Sequence, residues 1–348
     1  MSVLGLATNY RPKTFEDVVE QNSTIKILKR QVELKEYSHT YLFAGPSGCG
    51  KTTVARIMAN MINEGQGSPE EIDSASNNSV EAMRAIVRDA QMLSLSSPYK
   101  IYIFDECQML TKSAWDAGLK IFEEPPARTI FMFCTTDPQK IPATILSRVQ
   151  RFDFQRISFD NIVNRLKYII DCERKKGQDI SADDEALQFI AKAADGGMRS
   201  AITLLEKCFG YENHLTLDIV VRVLGTVNYD ILFDLTNAVI DYNSNGVVDI
   251  INSLHLNGVD FKVFMKQYID FGLDLCKYNV LKSAGDVNYN LLQIPSLYQD
   301  KLDYVCDGNG EFLTSYLNKL IDINNQIKWE QSPKRIVEMN LLLLSIKG

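Results

Sequence analysis

The stretch YLFAGPSGCGKTT, residues 41–53, sets Gly45, Pro46, Ser47, Gly48, Cys49, Gly50, Lys51, Thr52 and Thr53 in the pattern G-x-x-x-x-G-K-[ST]. Those residue types suit phosphate chemistry. Glycines let the backbone wrap an anion without a Cβ in the way, and the wrapped N–H groups with the helix N-terminus behind them face the negative charge. Lys51 would reach the outer phosphates and the Thr52 hydroxyl would bind Mg²⁺. Further on, KIYIFDE runs four apolar residues into Asp105 and Glu106. Asp105 would hold Mg²⁺, mostly through water, and Glu106 would orient and deprotonate an attacking water. Each pattern alone has a plainer reading, a Gly-rich turn or a solvated strand end. Together, in the order strand, loop, helix and later acids, they fit a nucleotide site. TIFMFC, residues 129–134, ends in Thr135-Thr136-Asp137. A polar group there would sit beside the γ-phosphate, although a strand-capping turn explains it equally well.

These residues need a scaffold that brings strand ends together. Buried strand signals occur at residues 41–43, 100–106 and 129–134, with shorter strand candidates at 71–73 and 152–154 and helical signals at 24–36, 52–63, 80–93, 113–122 and a short segment ending at 145–148. The alternation implies an α/β domain, a doubly wound parallel sheet with its ligand at the carboxyl ends of the strands. From residue 158 strand signals vanish. Helices are expected at 161–175, 183–194, 199–209 and 216–224, with Gly196-Gly197 as a break. Beyond Gly225 further helices are expected near 229–241, 245–257, 260–282, 289–305, 311–328 and 333–346. The resulting division is a nucleotide-binding domain over 1–157, a small helical lid over 158–224 and an all-α domain over 225–348. His214 and His255 are isolated and read as structural or surface residues. Trp329 and the run Met339 to Ile346 read as core or subunit contact.

Composition narrows the class. The chain has 348 residues, 45% of them hydrophobic, which suits two or three packed domains. No run of about 18 apolar residues suggests a membrane span, and the N-terminus MSVLGLATNYRPKTF has no signal-like apolar core. Seven dispersed cysteines without a C-x-x-C pair suit a reducing cytosol and buried thiols rather than a cysteine-based zinc site. A net charge of −7 means that any contact with DNA needs a local patch or an assembly to supply the field.

The accumulated motifs resemble the AAA+ ATPases, and more narrowly the clamp loader subunits of DNA replication, with the bacterial DNA polymerase III γ/τ subunit as the nearest likeness. The resemblance rests on TNYRPKTFEDVVEQ, HTYLFAGPSGCGKTTVAR, EIDSASNNSVEAMR, KIYIFDECQMLTKSAWDAGLKIFEEPP, CTTDPQKIPATILSRVQRFDF and AADGGMRSAITLLEK, in the family's order across residues 8–207. A thinner match, SPKRIVEMNLLLLSI, resembles the end of the family's collar domain. The resemblance implies an AAA+ domain, a helical lid and a collar used for oligomerisation. It implies that Tyr10, Arg11, Pro12, Val18, Val19 and Gln21 surround the adenine, that Thr136 is sensor 1, and that Arg199 is sensor 2 in the lid. It makes Arg148 the arginine finger that acts in trans on a neighbouring subunit's ATP; without the resemblance Arg148 reads as a surface ion pair. Lys112 and Ser113, at a helix start, are the candidates for DNA phosphate contact, or else ordinary surface and cap residues. ATP and Mg²⁺ are the implied cofactors. The implied partners are a sliding clamp, other loader subunits in a homo- or hetero-oligomeric pentamer, and primer–template DNA, in a bacterial or phage-infected cytoplasm. Two departures stand out. The family's cysteine after the finger is Val149 here, and residues 63–72 have neither the length nor the cysteines of the γ/τ zinc module, so no zinc is expected. A compact or phage-encoded subunit without the long τ-type extension fits both. A helicase loader, a branch-migration motor and a non-hydrolysing stator are the alternatives.

Overall fold

The computed structural model of the chain describes residues 5–92, 94, 96–224, 227–285, 291–295 and 298–346. Its elements begin with α1 (Leu6–Asn9), α2 (Asn22–Leu34), β1 (Thr40–Ala44), α3 (Lys51–Ile62), β2 (Glu70–Asp73), α4 (Val80–Ala90), β3 (Lys100–Asp105), α5 (Lys112–Glu123), β4 (Thr129–Thr135), α6 (Ala143–Leu146), β5 (Gln150–Asp153) and α7 (Phe159–Lys175). They continue with β6 (Ser181–Ala182), α8 (Asp184–Ala193), α9 (Met198–Phe209), β7 (His214–Leu215), α10 (Leu217–Leu224), α11 (Tyr229–Ile240), α12 (Ser244–Leu256), α13 (Phe261–Ser283), α14 (Gln299–Cys306), α15 (Gly310–Ile327) and α16 (Pro333–Leu344). Two compact units result, Met1–Gln178 with Ile190–Glu206, and Asp179–Phe189 with Lys207–Gly348.

The first unit is built on five parallel strands in the order β2-β3-β4-β1-β5. The three inner strands β3, β4 and β1 read as near-continuous apolar runs because both their faces are covered, whereas the edge strands β2 and β5 each bury a single residue. Tyr41, Phe43, Ile101, Ile103, Ile130 and Met132 pack on one side with Leu28, Val54 and Met58. Leu42, Tyr102, Phe104, Phe131 and Phe133 pack on the other with Met83, Ile86, Trp115 and Phe122. Each such side chain contributes about 1.5–3 kcal/mol on burial. Register then does the positioning: Ala44 pairs with Thr135 and with Asp153, and Phe104 pairs with Phe133. The ends of β1, β3 and β4 therefore line up at one edge, where open α/β sheets bind ligands. The expected helix over 80–93 is Val80–Ala90, and Leu93 lies outside the described residues.

The second unit is mainly helical, with two differences from expectation. A short parallel ribbon pairs Ser181 with His214 and Ala182 with Leu215, so strands do not vanish entirely after residue 158. Of the helix expected over 289–305, the described residues show Gln299–Cys306, residues 291–295 are not part of it, and residues 289, 290, 296 and 297 lie outside the described residues. The buried Asp274 carboxylate accepts the N–H groups of Gln293 and Ile294, and Pro295 has no N–H to give, so this backbone is committed elsewhere. Trp329 is 93% exposed and is not core; Leu341 of the C-terminal run is buried while Met339, Leu343 and Ile346 are exposed. His214 and His255 are both exposed. Cys49, Cys107, Cys134, Cys208 and Cys306 are buried thiols, and Cys172 and Cys276 are half-buried. Among the described residues no helix is long and apolar enough to cross a membrane.

Candidate nucleotide-binding and hydrolytic site

The loop between β1 and α3 fits its surroundings only with glycine at two points. A Cβ on Gly45 would lie 2.4 Å from the Phe154 carbonyl oxygen, and one on Gly48 3.2 Å from Gly197 Cα. The second close approach lets Met198 N–H donate to the Gly48 carbonyl at 3.1 Å, which holds the start of α9, and so Arg199, beside the loop. Lys51 is almost fully buried and donates to the Gly45 and Pro46 carbonyls at 2.9 and 2.7 Å. The Cys49 thiol donates to the Pro46 carbonyl at 2.9 Å, and burial pushes its pKa up, so it stays neutral in the loop.

The Thr52 hydroxyl donates to Asp105 Oδ1 at 2.9 Å. A hydroxyl and a carboxylate side by side form an all-oxygen donor set, which suits Mg²⁺ held by one or two protein groups together with phosphates and waters. The residues present therefore fit that ion. Glu106 follows in the left-handed region, with φ 48°, a conformation that non-glycine residues hold only when their surroundings impose it. Its Oε2 accepts from the Thr136 hydroxyl at 3.1 Å and from Gln108 Nε2 at 2.5 Å. The two groups expected to flank a γ-phosphate thus meet directly. Gln108 escaped the sequence reading; a polar residue two positions past a strand-end acid carries no signal of its own.

A cavity of about 320 Å³ opens over this edge, within the size range of small-molecule sites. Ser47, Gly48, Cys49, Gly50, Lys51, Thr52, Thr53, Asp105 and Glu106 line one side, Tyr10, Arg11, Pro12, Val18 and Val19 another, and Arg199 a third. Arg56, Arg165, Ile157, Met198 and Ile202 also line it, none of them singled out from sequence. Arg56 is paired with Glu71, and Arg165 donates to the Tyr10 carbonyl at 3.1 Å. The N-terminal arm is tied down along its length. Glu206 accepts the Gly5 and Leu6 N–H groups at 2.7 and 2.9 Å, and Glu20 accepts from Ser158 and Asn161. The Tyr10 hydroxyl donates to Glu173 at 2.6 Å, and Lys176 donates to both. Burial and the bond to Glu173 raise the Tyr10 pKa. Burial also pushes Glu173 up, but the hydrogen bonds from Lys176 and Tyr10 outweigh it and leave that carboxyl below its usual range.

Gln21 stands apart from the other arm residues. It does not line the cavity; its amide donates to the Gln155 carbonyl at 2.7 Å and accepts the Gln155 N–H at 3.1 Å. Two bonds to one backbone unit occupy the amide, so Gln21 braces the arm. Gly45 and Pro46 stand just behind the wall, as carbonyls bonded to Lys51. Arg148 is away from the cavity, half-exposed, and 3.3 Å from Glu123 in an ion pair. Lys112 and Ser113 are exposed on the first turn of α5. The Thr111 hydroxyl caps that turn by accepting from Ala114 N–H, and donates to the Asn78 carbonyl at 3.0 Å, joining the starts of α5 and α4.

A family model described as DNA polymerase III, delta subunit, matches residues 70–158, and one described as DNA polymerase III clamp loader subunit, ATPase lid domain, matches residues 161–210. The DNA polymerase III subunit tau of Bacillus subtilis is 33% identical over 97% of this chain and 62% of its own length. The subunit gamma of Buchnera aphidicola is 29% identical over 97% of each. The chain spans between 44% and 62% of the tau subunits of Escherichia coli, Salmonella typhimurium and B. subtilis. The Holliday junction branch migration motor RuvB of Thermotoga maritima superposes with a TM-score of 0.50 at 20% identity, covering 72% of this chain and 86% of that one, a likeness of fold alone. With its phosphate loop, its strand-end acids and the lid match, the chain is similar to the DNA polymerase III γ and τ subunits.

Proposed function

We propose that this chain is an ATPase subunit of a sliding-clamp loader. The observation that carries the reading is the cavity in which the phosphate loop, the Thr52–Asp105 pair, Glu106, the N-terminal arm and Arg199 converge. ATP would lie with its phosphates on the loop amides and Lys51, and its base against Tyr10, Arg11, Pro12, Val18 and Val19. Mg²⁺, held from Thr52 and Asp105, would neutralise charge on the phosphates. Glu106 would take the proton of the attacking water as its oxygen bonds to the γ-phosphorus and the bond to the ADP oxygen breaks. Thr136 would donate to the γ-phosphate, and Arg199 would report its presence to the lid.

Arg148 would complete the neighbouring subunit's site. Its position away from its own cavity, with half its surface in solvent, supports that role. A trans guanidinium makes hydrolysis depend on how subunits are arranged. ATP would thereby favour the ordered ring of subunits, shifting the population toward the clamp-opening spiral. Residues 158–224 serve as lid and residues 225–348 as collar in this reading. Primer–template DNA would meet the joined starts of α4 and α5, where Lys112 and Ser113 offer sequence-independent phosphate contacts. The test is ATP turnover with and without clamp and primed DNA. Lys51→Ala in an otherwise wild-type set of subunits should abolish its own ATP binding and impair loading. Loading at the wild-type rate with Lys51→Ala would overturn the reading.

A further inference from the structure

We propose that Gln108 is the positioning residue of the hydrolytic site, its side-chain amide holding the Glu106 carboxylate in register with the Thr136 hydroxyl. The inference rests on the ATPase reading above. An ionised carboxylate only accepts hydrogen bonds, so Glu106 fixes which end of the amide faces it. Gln108 Nε2 then donates to Glu106 Oε2 at 2.5 Å and to Thr136 Oγ1 at 2.9 Å. The amide oxygen, turned the other way, accepts from the Thr135 hydroxyl at 2.7 Å, and that hydroxyl accepts the Asp137 N–H at 3.0 Å. Every bond in the chain has one consistent direction. The amide is therefore clamped to the end of β4 while it grips the residue that follows β3.

The Thr136 hydroxyl has one hydrogen, which it gives to Glu106 at 3.1 Å. To donate to a phosphate it must release Glu106. The amide of Gln108 does not depend on that choice, so it keeps the carboxylate in place whichever acceptor Thr136 serves. The support for Gln108 is firm: it sits in a short 3-10 turn, Cys107–Met109, whose Cys107 is fully buried and whose Met109 N–H returns to the Glu106 carbonyl at 2.9 Å. Without the amide, a half-exposed glutamate would be free to leave the geometry that water activation needs.

The test uses the full chain, with its partner subunits where turnover requires them. ATP affinity is read by titration with a fluorescent ATP analogue, and chemistry by single-turnover hydrolysis. Gln108→Leu should bind within about threefold of wild type and hydrolyse about 10- to 100-fold more slowly. Combined with Thr136→Ala it should lose much less than the product of the two single effects, because both act on one network. If Gln108→Leu fails to fold, Gln108→Asn, which keeps the polarity but falls one methylene short of both partners, should show the same loss of hydrolysis with ATP binding retained. Hydrolysis within twofold of wild type in the folded variant, with Glu106→Gln inactive, or losses that multiply in the double variant, would overturn this inference alone. A wild-type protein that hydrolyses no ATP, or a Glu106→Gln protein as active as wild type, would overturn the ATPase reading and this inference with it.

Discussion

Replacing Gly45 by alanine tests whether the phosphate loop is built against the last strand of the sheet. The new Cβ would lie 2.4 Å from the Phe154 carbonyl oxygen and 2.9 Å from Phe154 Cβ, about 1 Å short of ordinary contact. Neither obstacle can give easily. The Phe154 N–H donates to the Ala44 carbonyl at 2.7 Å, and its ring packs in the core beneath β1. Opening the gap by about 1 Å would carry that hydrogen bond out of range, a loss of about 1 kcal/mol. Crowding adds about 1–3 kcal/mol. The total, about 2–4 kcal/mol, corresponds to a fall in Tm of about 4–16 °C for a folding unit of this size. The loop amides would tilt with the backbone, and a loss of about 1.4 kcal/mol in their fit to phosphate is a tenfold loss of ATP affinity. Gly65→Ala is the control: its φ is +77° and its Cβ would meet nothing within 4 Å, so only the backbone cost of about 1–2 kcal/mol applies. Thermal denaturation and titration with a fluorescent ATP analogue measure both effects. If Gly45→Ala melts with Gly65→Ala and binds ATP like wild type, the reasoning from close approach is wrong.

Three further outcomes follow from other parts of the molecule. Arg148→Ala should keep its own ATP binding but lower hydrolysis in the assembly by about 10³-fold or more; mixing it with Lys51→Ala subunits should restore turnover only at interfaces that pair an intact loop with an intact finger, and turnover at every interface would refute the trans role. Glu173, whose folded pKa is lowered, contributes stability that is present above its unfolded value and lost as pH falls through the folded one; melting between about pH 6 and pH 3 should therefore show a steeper acid loss in wild type than in Glu173→Gln. Asp274→Ala would strip a buried carboxylate from Lys277 and from the N–H groups of Gln293 and Ile294, and should cost the second unit about 3–5 kcal/mol by denaturant unfolding.

The site was legible where its chemistry constrains backbone or residue type locally. Gly45 and Gly48 are needed because another chain segment passes within contact distance. Lys51 and Thr52 must follow at the helix start, and Asp105 and Glu106 must end a strand whose apolar run announces itself. Parallel pairing then makes convergence automatic, since Ala44, Thr135 and the end of β3 share one edge. The same reasoning fails where a side chain's partner is remote in sequence. Nothing along the chain points from Gln21 to the Gln155 backbone that its amide grips. Gln108 reads as nothing until a three-residue turn aims it at Glu106 and Thr136 at once. Both are glutamines, long enough to span two elements and able to donate and accept together. Such residues take their role from the geometry that two elements create between them, and no pattern along one element can contain it. Functional glutamines of this kind are therefore found by tracing hydrogen-bond direction outward from groups that can only accept, as the Glu106 carboxylate does here.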